Sequence, residues 1–427
     1  MFCHGWHDAY FLLGNWDSRF STMNTTPLPE GAPVSVNVIN AMAPLEVRRR
    51  ALWSACVAHA LHDGYTDLMY VLLPVWQAEF GLSYEALAIL RGGYAATMAA
   101  LQWPAGRLAE RYGGRAVLIA GTVLAALGYA FAGLSGSLLG LCAALALSGG
   151  GSSTQHPIAS GSVSRAYGKT ARGPLGIYNF SGDLGKAMFP AAVSFLLIFM
   201  TWRHALWIMS AVGIAVAVGL ALFLPTTKDH SSTNIAANDS TGAGRSGFPL
   251  LFAIGVLDTA ARMGLLMFLP FLLKAKGASL SVIGLSLSML FIGGAAGKFI
   301  CGWLGARAGV IRTVMATESA TAACILAVLF SPLAVTLPLL PVLGLMLNGT
   351  SSALYGTVPD LAPPHRTERA FALFYSGVLG SGAIAPILFG AMGDWVGVRD
   401  ATIATALTAL AVLPLAMALA PHLRTPR

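Results

Sequence analysis

From residue 51 onward the chain alternates between long apolar runs and short polar breaks. Twelve runs stand out, at approximately 51–76, 86–108, 115–134, 138–164, 173–199, 203–224, 249–273, 281–304, 311–330, 333–357, 368–393 and 400–420. About 20 mostly apolar residues let a helix cross the hydrocarbon core of a bilayer. The pattern therefore predicts an all-α membrane protein with twelve transmembrane helices. The longest internal polar stretch, 225–248, is rich in Ser, Thr, Asn and Gly and is expected to link two six-helix bundles at 48–224 and 249–427. Residues 1–47 are expected to form a cytoplasmic tail. The segment MFCHGWHDAYFLLGNWDSRF lacks the basic start and the apolar length of a signal peptide. An upstream extension, with translation starting at Met23 or Met42, fits it equally well.

The charges in the breaks test this count. Seventeen arginines and lysines (among them Arg48, Arg49, Arg50, Arg107, Arg111, Arg115, Arg165, Arg307 and Arg312) fall on one side of the alternation, and only Arg203, Lys274, Lys276 and Arg399 on the other. Such asymmetry is what twelve helices with both termini in the cytoplasm produce. A multi-pass inner (cytoplasmic) membrane protein, working as a monomer, is expected.

Composition agrees. Of 427 residues, 56% are apolar and 10% are Asp, Glu, Lys or Arg, with a mean hydropathy of +0.69. Ordinary soluble domains carry roughly a quarter charged residues, so a soluble enzyme and a disordered chain are both excluded. The net charge of +8 sits in short loops and not on a polar domain, which argues against nucleic acid as a partner. Cys3, Cys56, Cys142, Cys301 and Cys324 are far apart, with no CxxC and no Cys/His cluster, so neither disulfides nor a metal site is expected.

The two halves share a plan. A shift of 196 residues pairs Pro74 with Pro270, Gly81 with Gly277, Gly106 with Gly302, Arg111 with Arg307, Gly113 with Gly309, Pro190 with Pro386 and Arg203 with Arg399. Parallel six-helix halves with a binding site between them near the midplane form one transporter architecture. Gly106-Arg-Leu-Ala-Glu-Arg-Tyr-Gly-Gly-Arg115 resembles the loop signature of the major facilitator superfamily between its second and third helices, with Glu110 where Asp is usual. Gly302-Trp-Leu-Gly-Ala-Arg-Ala-Gly309 resembles the weaker second copy. The resemblance implies a conformational gate made of Gly106, Glu110, Arg111, Arg115, Gly302 and Arg307. Within the spans, His59-Ala-Leu-His62-Asp63 and Gly149-Gly-Gly-Ser-Ser-Thr-Gln-His-Pro157 resemble motifs of the fosmidomycin-resistance group of that superfamily. Phe180-Ser-Gly-Asp-Leu-Gly185 is similar to that group's fifth-helix motif, except that Asp183 stands for an amide and Lys186 follows where a small residue is usual. The group implies proton-driven efflux.

Ionisable residues inside spans cost roughly 2.5–3.5 kcal/mol or more each and mark function. The first span carries His59, His62, Asp63, Thr66, Asp67 and Tyr70 along one side of a helix. The fourth offers Ser148, Ser152 and His156; the fifth Asn179, Asp183 and Lys186; the seventh Asp258 and Arg262; the eighth Lys298; the tenth Asn348. Asp63, His62, His59, Asp67, His156 and Asp183 are the candidates for carrying a coupling proton, since a carboxylate beside a histidine can exchange protons near neutral pH. Lys186, Arg262, Lys298, Asp258, Asn179, Ser152, Tyr70 and Asn348 are the candidates for holding a substrate, the cations suiting a carboxylate or phosphonate.

Structural readings stand beside these. Asp258 with Arg262, and Asp183 with Lys186, are spaced to neutralise one another on their own helices; Arg91 is placed to snorkel to the surface; His59 could be a hydrogen-bonded core residue; Glu318, near a span end, would pair with loop arginines. Gly182, Gly185, Pro190, Gly377, Gly380, Gly382 and Pro386 are expected to permit close packing and bending of the fifth and eleventh spans. No nucleophile elbow, HExxH, P-loop or haem motif is present, so neither catalysis, nor ATP as driver, nor a cofactor is expected. The leading expectation is proton-coupled efflux of a small anionic compound or drug. Uptake or exchange of an organic anion is the alternative, and a receptor or scaffold that lost transport is the alternative of another class.

Overall fold

The computed structural model describes residues 44–226, 247–362 and 367–423. Most of the expected tail and of the expected linker lies outside the described residues. Among these residues are thirteen α-helices: α1 Leu45–Phe80, α2 Tyr84–Tyr112, α3 Gly114–Leu134, α4 Leu138–Ser152, α5 Gln155–Tyr167, α6 Arg172–Leu196, α7 Trp202–Phe223, α8 Phe248–Ala275, α9 Leu280–Ala308, α10 Val310–Phe330, α11 Leu333–Leu361, α12 Thr367–Val396 and α13 Val398–Leu423. They correspond to the twelve expected spans with one correction. The fourth span is not a continuous helix; it breaks at Ser153 and Thr154, after three consecutive glycines, into α4 and α5. Gly is a poor helix former, and Ser and Thr hydroxyls compete for backbone carbonyls. Here Ser153 Oγ donates to Gly150 O at 2.6 Å and Thr154 Oγ1 to Gly151 O at 3.0 Å.

Eight of the described helices are long and apolar enough, by length and composition, to cross a membrane. Of the others, α1, α2 and α6 carry more polar residues along their length, and α4 and α5 are halves of one span. Large apolar side chains such as Trp53, Leu139, Phe199 and Trp395 face outward, while polar groups are turned inward. That distribution suits a lipid solvent, which favours apolar contact and admits polar atoms only where protein satisfies them.

The repeat is written into the caps. Ser83 Oγ accepts from Ala86 N at the start of α2, and 196 residues later Ser279 Oγ accepts from Val282 N at the start of α9. Gly113 and Gly309, with φ of 85° and 87°, begin α3 and α10 in a conformation that L side chains rarely adopt.

Small residues set the closest helix crossings. A Cβ on Gly185 in α6 would sit 1.9 Å from Ala60 O in α1, and Cβ atoms on Gly344 in α11 and Gly297 in α9 would sit 1.9 Å and 2.2 Å from facing backbone oxygens. Expectation and structure differ for α12: Gly380 has no atom within 4 Å of such a Cβ and Gly382 only ordinary contacts, so neither sets a close crossing there.

The core explains how the two halves meet. One large cluster, from Tyr65–Trp76 through Leu265–Leu273 and Leu340, Leu343 and Leu347, runs through both halves at the end opposite the basic loops. At the basic end the apolar packing divides into two clusters, one around Leu118, Ala159 and Val163 and the other around Ile254, Leu354 and Val358. Polar contacts reinforce the joined end: Asp394 of α12 accepts from Tyr84 N at 2.8 Å and Glu85 N at 2.9 Å at the start of α2, and Ser288 of α9 donates to Ala187 O of α6. The halves are thus sealed at one end and parted at the other.

Candidate functional site

Between the parted halves lies a cavity of roughly 720 Å³. Its polar walls come from α1 (His59, Asp63, Thr66), α2 (Arg91, Gln102), α5 (His156), α6 (Asn179, Asp183, Lys186), α8 (Thr259, Arg262), α9 (Lys298), α11 (Ser351, Ser352, Tyr355) and α12 (Tyr375). Apolar Met98, Met263, Val378 and Leu379 complete it.

Asp63 is the hub. Its Oδ2 lies 3.2 Å from His59 Nε2 and 3.3 Å from Lys186 Nζ, and its Oδ1 3.8 Å from His156 Nε2. Room for this cluster comes from Gly182, where a Cβ would stand 2.6 Å from His59 Nε2 and 2.7 Å from Asp63 Oδ2. His59 Nδ1 is 2.8 Å from Tyr178 O. A carbonyl only accepts, so Nδ1 carries a hydrogen and donates it. In the neutral ring Nε2 is then a bare acceptor, facing a carboxylate that is also an acceptor. The contact is satisfied only when one further proton sits on the histidine or on the aspartate.

Three ligating atoms, from His59, Asp63 and His156, lie within 4.8 Å of one another, a cluster that no sequence spacing announced. The Lys186 ammonium already occupies Asp63 Oδ2 at 3.3 Å. A divalent cation there would meet a fixed positive charge at contact distance, so the donor set suits a proton better than a metal.

Several expected pairings are exchanged. Lys186 does not neutralise Asp183 on its own helix; it meets Asp63, while Lys298 Nζ crosses from α9 to donate to both Asp183 oxygens at 2.6 and 2.7 Å. Arg262 does not pair with Asp258. It donates to Asn348 Oδ1 at 3.2 Å and Thr259 Oγ1 at 3.3 Å, and its buried Nε has no partner among the described residues. Arg91 does not snorkel; it is 5% exposed, 3.7 Å from Asp67 Oδ1, and stacked 4.3 Å over the Tyr70 ring. Glu318 does not reach the loop arginines, being 2% exposed and hydrogen-bonded to Asp258 and Thr350 inside the second half.

The polar stripe of the first span is thereby divided. His59, Asp63 and Thr66 face the cavity. His62 turns to Ser152 Oγ (3.1 Å) and Thr122 Oγ1 (3.2 Å), and Ser152, also 2.9 Å from Tyr94 Oη, is buried behind the wall and does not line the cavity. Asp67 and Tyr70 lie deeper, with Arg91. Among the cavity cations, Arg91, Lys186 and Lys298 each have a carboxylate within 4.0 Å and Arg262 has none among the described residues.

At the basic end the residues named as a gate are not assembled. Arg111 lies over Tyr112 and Arg307 over Trp303 on their own helices, and Glu110 is exposed. A Cβ added to Gly106 or Gly302 would meet no heavy atom within 4 Å. Of these six, Arg115 is the one that bridges elements among the described residues, donating to Thr226 Oγ1 at 2.8 Å and to the Ala221 carbonyl at the end of α7.

Paired helical halves around a polar central cavity define a multi-pass membrane protein built like a transporter. The Major Facilitator Superfamily profile matches residues 55–252 and again 251–427, and the chain belongs to that superfamily. It is similar to human monocarboxylate transporter 11, with 28% identity over 311 residues, 70% of this chain and 60% of that one. It is also similar to the cephamycin export protein CmcT of Amycolatopsis lactamdurans, with 30% identity over 171 residues, 39% of this chain and 35% of the exporter. The match to the putative multidrug resistance protein MdtD of Salmonella dublin is 26% over 178 residues, 42% and 38% of the two chains. The chain thus spans less than two thirds of each of these relatives. The crystal structure of a bacterial homologue of the human lysosomal transporter Spinster, inward-facing and occupied, superposes with a TM-score of 0.76 over 90% of this chain and 100% of that one, at 17% identity. Nothing in these matches singles out the fosmidomycin-resistance group.

Proposed function

We propose that this chain is a secondary active transporter that moves a small organic anion by alternating access, coupled to protons. The single observation that carries the reading is the contact of His59 Nε2 with Asp63 Oδ2, which needs a proton that neither neutral His59 nor ionised Asp63 supplies. Asp63, His59 and His156 form the proton site, and Lys186, Lys298 and Arg262, with Asn179 and Asn348 beside them, form the anion site. Lys186 belongs to both, because protonation of Asp63 frees its ammonium for the substrate. Halves 48–224 and 249–427 rock about this cavity, with the basic loops and both termini in the cytoplasm of a cell whose inner membrane they span. The names of the exporters among the relatives support efflux as the direction; the lysine held between proton site and cavity supports binding of proton and anion together, as in cotransport.

The test is a pH-gradient assay in inverted membrane vesicles with an acidified interior. Fosmidomycin and a panel of carboxylates and phosphonates are added to wild type and to Asp63→Asn. A substrate-triggered change in the gradient, absent in Asp63→Asn, is the expected result. Proton movement that survives Asp63→Asn unchanged would remove Asp63 from the mechanism.

A further inference from the structure

A second pair of acids sits in the wall of the other half, away from the cavity lining. Asp258 on α8 and Glu318 on α10 are 4% and 2% exposed, and their carboxyl groups hydrogen-bond one another. Ionised carboxylates offer only acceptors, so the contact requires a proton on one of the two. Thr350 Oγ1 donates to Thr317 Oγ1 at 2.7 Å and lies against the Glu318 carboxyl. One full turn along α8, Arg262 is the cation within electrostatic reach of both acids. Its guanidinium is directed into the cavity instead, onto Asn348 and Thr259, with Nε left unpartnered among the described residues.

From α11 the facing groups are Thr350 and the Tyr355 phenol. On α9 the ionisable group at that depth is Lys298, already held by Asp183, and on α12 it is Tyr375; from α1, Asp67 and Tyr70 lie within electrostatic reach of Arg262, with Asp67 facing Arg91. Between Asp400 and His422, α13 has no ionisable residue. Two buried unpaired carboxylates would be costly, and one shared proton halves the charge.

We propose that Asp258 and Glu318 are a second proton site, holding one proton between them, and that loss of this proton to water turns Arg262 from the cavity to the doubly charged pair. An anion arriving at the deprotonated transporter then finds its free guanidinium withdrawn. The proton site stands on its own; the consequence for Arg262 rests on the anion reading above.

Infrared spectroscopy of the purified full chain tests it without a substrate. A protonated carboxyl has a carbonyl stretch distinct from that of a carboxylate, and the band shifts on exchange into D2O. Wild type is expected to show such a band at neutral pH, and Glu318→Gln and Asp258→Asn each to lose it, while Asp63→Asn retains it. In Arg262→Gln, with the cation gone, the band should persist to a pH about one unit or more higher. Absence of the band in wild type at neutral pH overturns the site whether or not a variant folds, as does a band that neither substitution reduces. An unchanged pH profile in Arg262→Gln overturns the link to the cavity. Failure of the Asp63 reading would leave this band in place, so the two outcomes are separable.

Discussion

Asp394 holds the sealed end of the molecule shut, and its removal should open it. The carboxylate reaches from the end of α12 to the first turn of α2 and accepts from Tyr84 N and Glu85 N at 2.8 and 2.9 Å. Both amides are orphan donors of a helix start, where the helix dipole also favours a negative charge. Asp394 is exposed, so each hydrogen bond is taken at the solvent-competed value of about 0.5–1.5 kcal/mol, or about 1–3 kcal/mol for the two. The bonds join the halves and must break when this end opens. Asp394→Ala should therefore move the equilibrium toward the state open at this end by about 5- to 150-fold. Asp394→Asn, which keeps an oxygen acceptor but loses the charge, should fall between. Spin labels on cysteines replacing exposed Ala78 at the end of α1 and exposed Asp400 at the start of α13 would report the separation by double electron–electron resonance. Ser83→Ala is the control, because Ser83 caps α2 through Ala86 N without touching the other half. Folded Asp394→Ala with the wild-type distance distribution would refute the reasoning, and so would an equal shift in Ser83→Ala.

Packing and pH give further expectations. Gly185→Ala forces a Cβ against Ala60 O and should destabilise the first half by about 1–3 kcal/mol or more. Gly176→Ala in the same helix meets nothing within 4 Å and should stabilise by up to about 1 kcal/mol; thermal unfolding in detergent compares them. At the sealed end, outside the membrane, Arg203 first and Trp202 second hold the Glu79 carboxyl below its usual range, with Arg203 Nη2 at 2.6 Å. A carboxyl depressed in the folded state contributes stability above its unfolded value of about 4.3 and loses it as pH falls through the folded value. Glu79→Gln should accordingly lower Tm at neutral pH, and the difference from wild type should close in acid below about pH 4.

The twelve spans, the repeat and the presence of charges within the membrane were legible because each is local or periodic. The same serine caps and positive-φ glycines recur at 83 and 279 and at 113 and 309, so the pattern alone carries the architecture. Partners were not legible. Asp183 and Lys186 stand at helical spacing, yet each finds a better partner across the cavity, Lys298 lying 115 residues from Asp183. Glu318 looked terminal by its distance from the span boundary, but a residue eight positions into α10 lies about 12 Å along the axis, beyond the reach of the loops. The triple glycine was the visible signal for the break between α4 and α5. For Asp394 the chain offers no signal: it is one more acid in a polar break until the fold sets it beside the start of α2.

On the proposed reading, the sign of coupling follows from which groups neutralise which. In the cavity, Asp63 holds Lys186 and Asp183 holds Lys298. A substrate anion has to compete with these carboxylates for the same ammonium groups. Adding a proton to Asp63 removes one competitor, so proton and anion favour one another at equilibrium, and by linkage the anion must raise proton affinity by the same factor. A substrate bearing a positive group instead competes with the proton for Asp63 and gives exchange. The two cases separate in one measurement: uptake of benzoate into proteoliposomes, as a simple carboxylate, against the pH on each side. Cotransport predicts accumulation driven by an acidic exterior and its loss in Lys186→Gln, where the shared group is missing. If benzoate flux is instead stimulated by protons on the opposite side, the carboxylate–ammonium pairs do not set the coupling, and exchange through Asp63 is the working cycle.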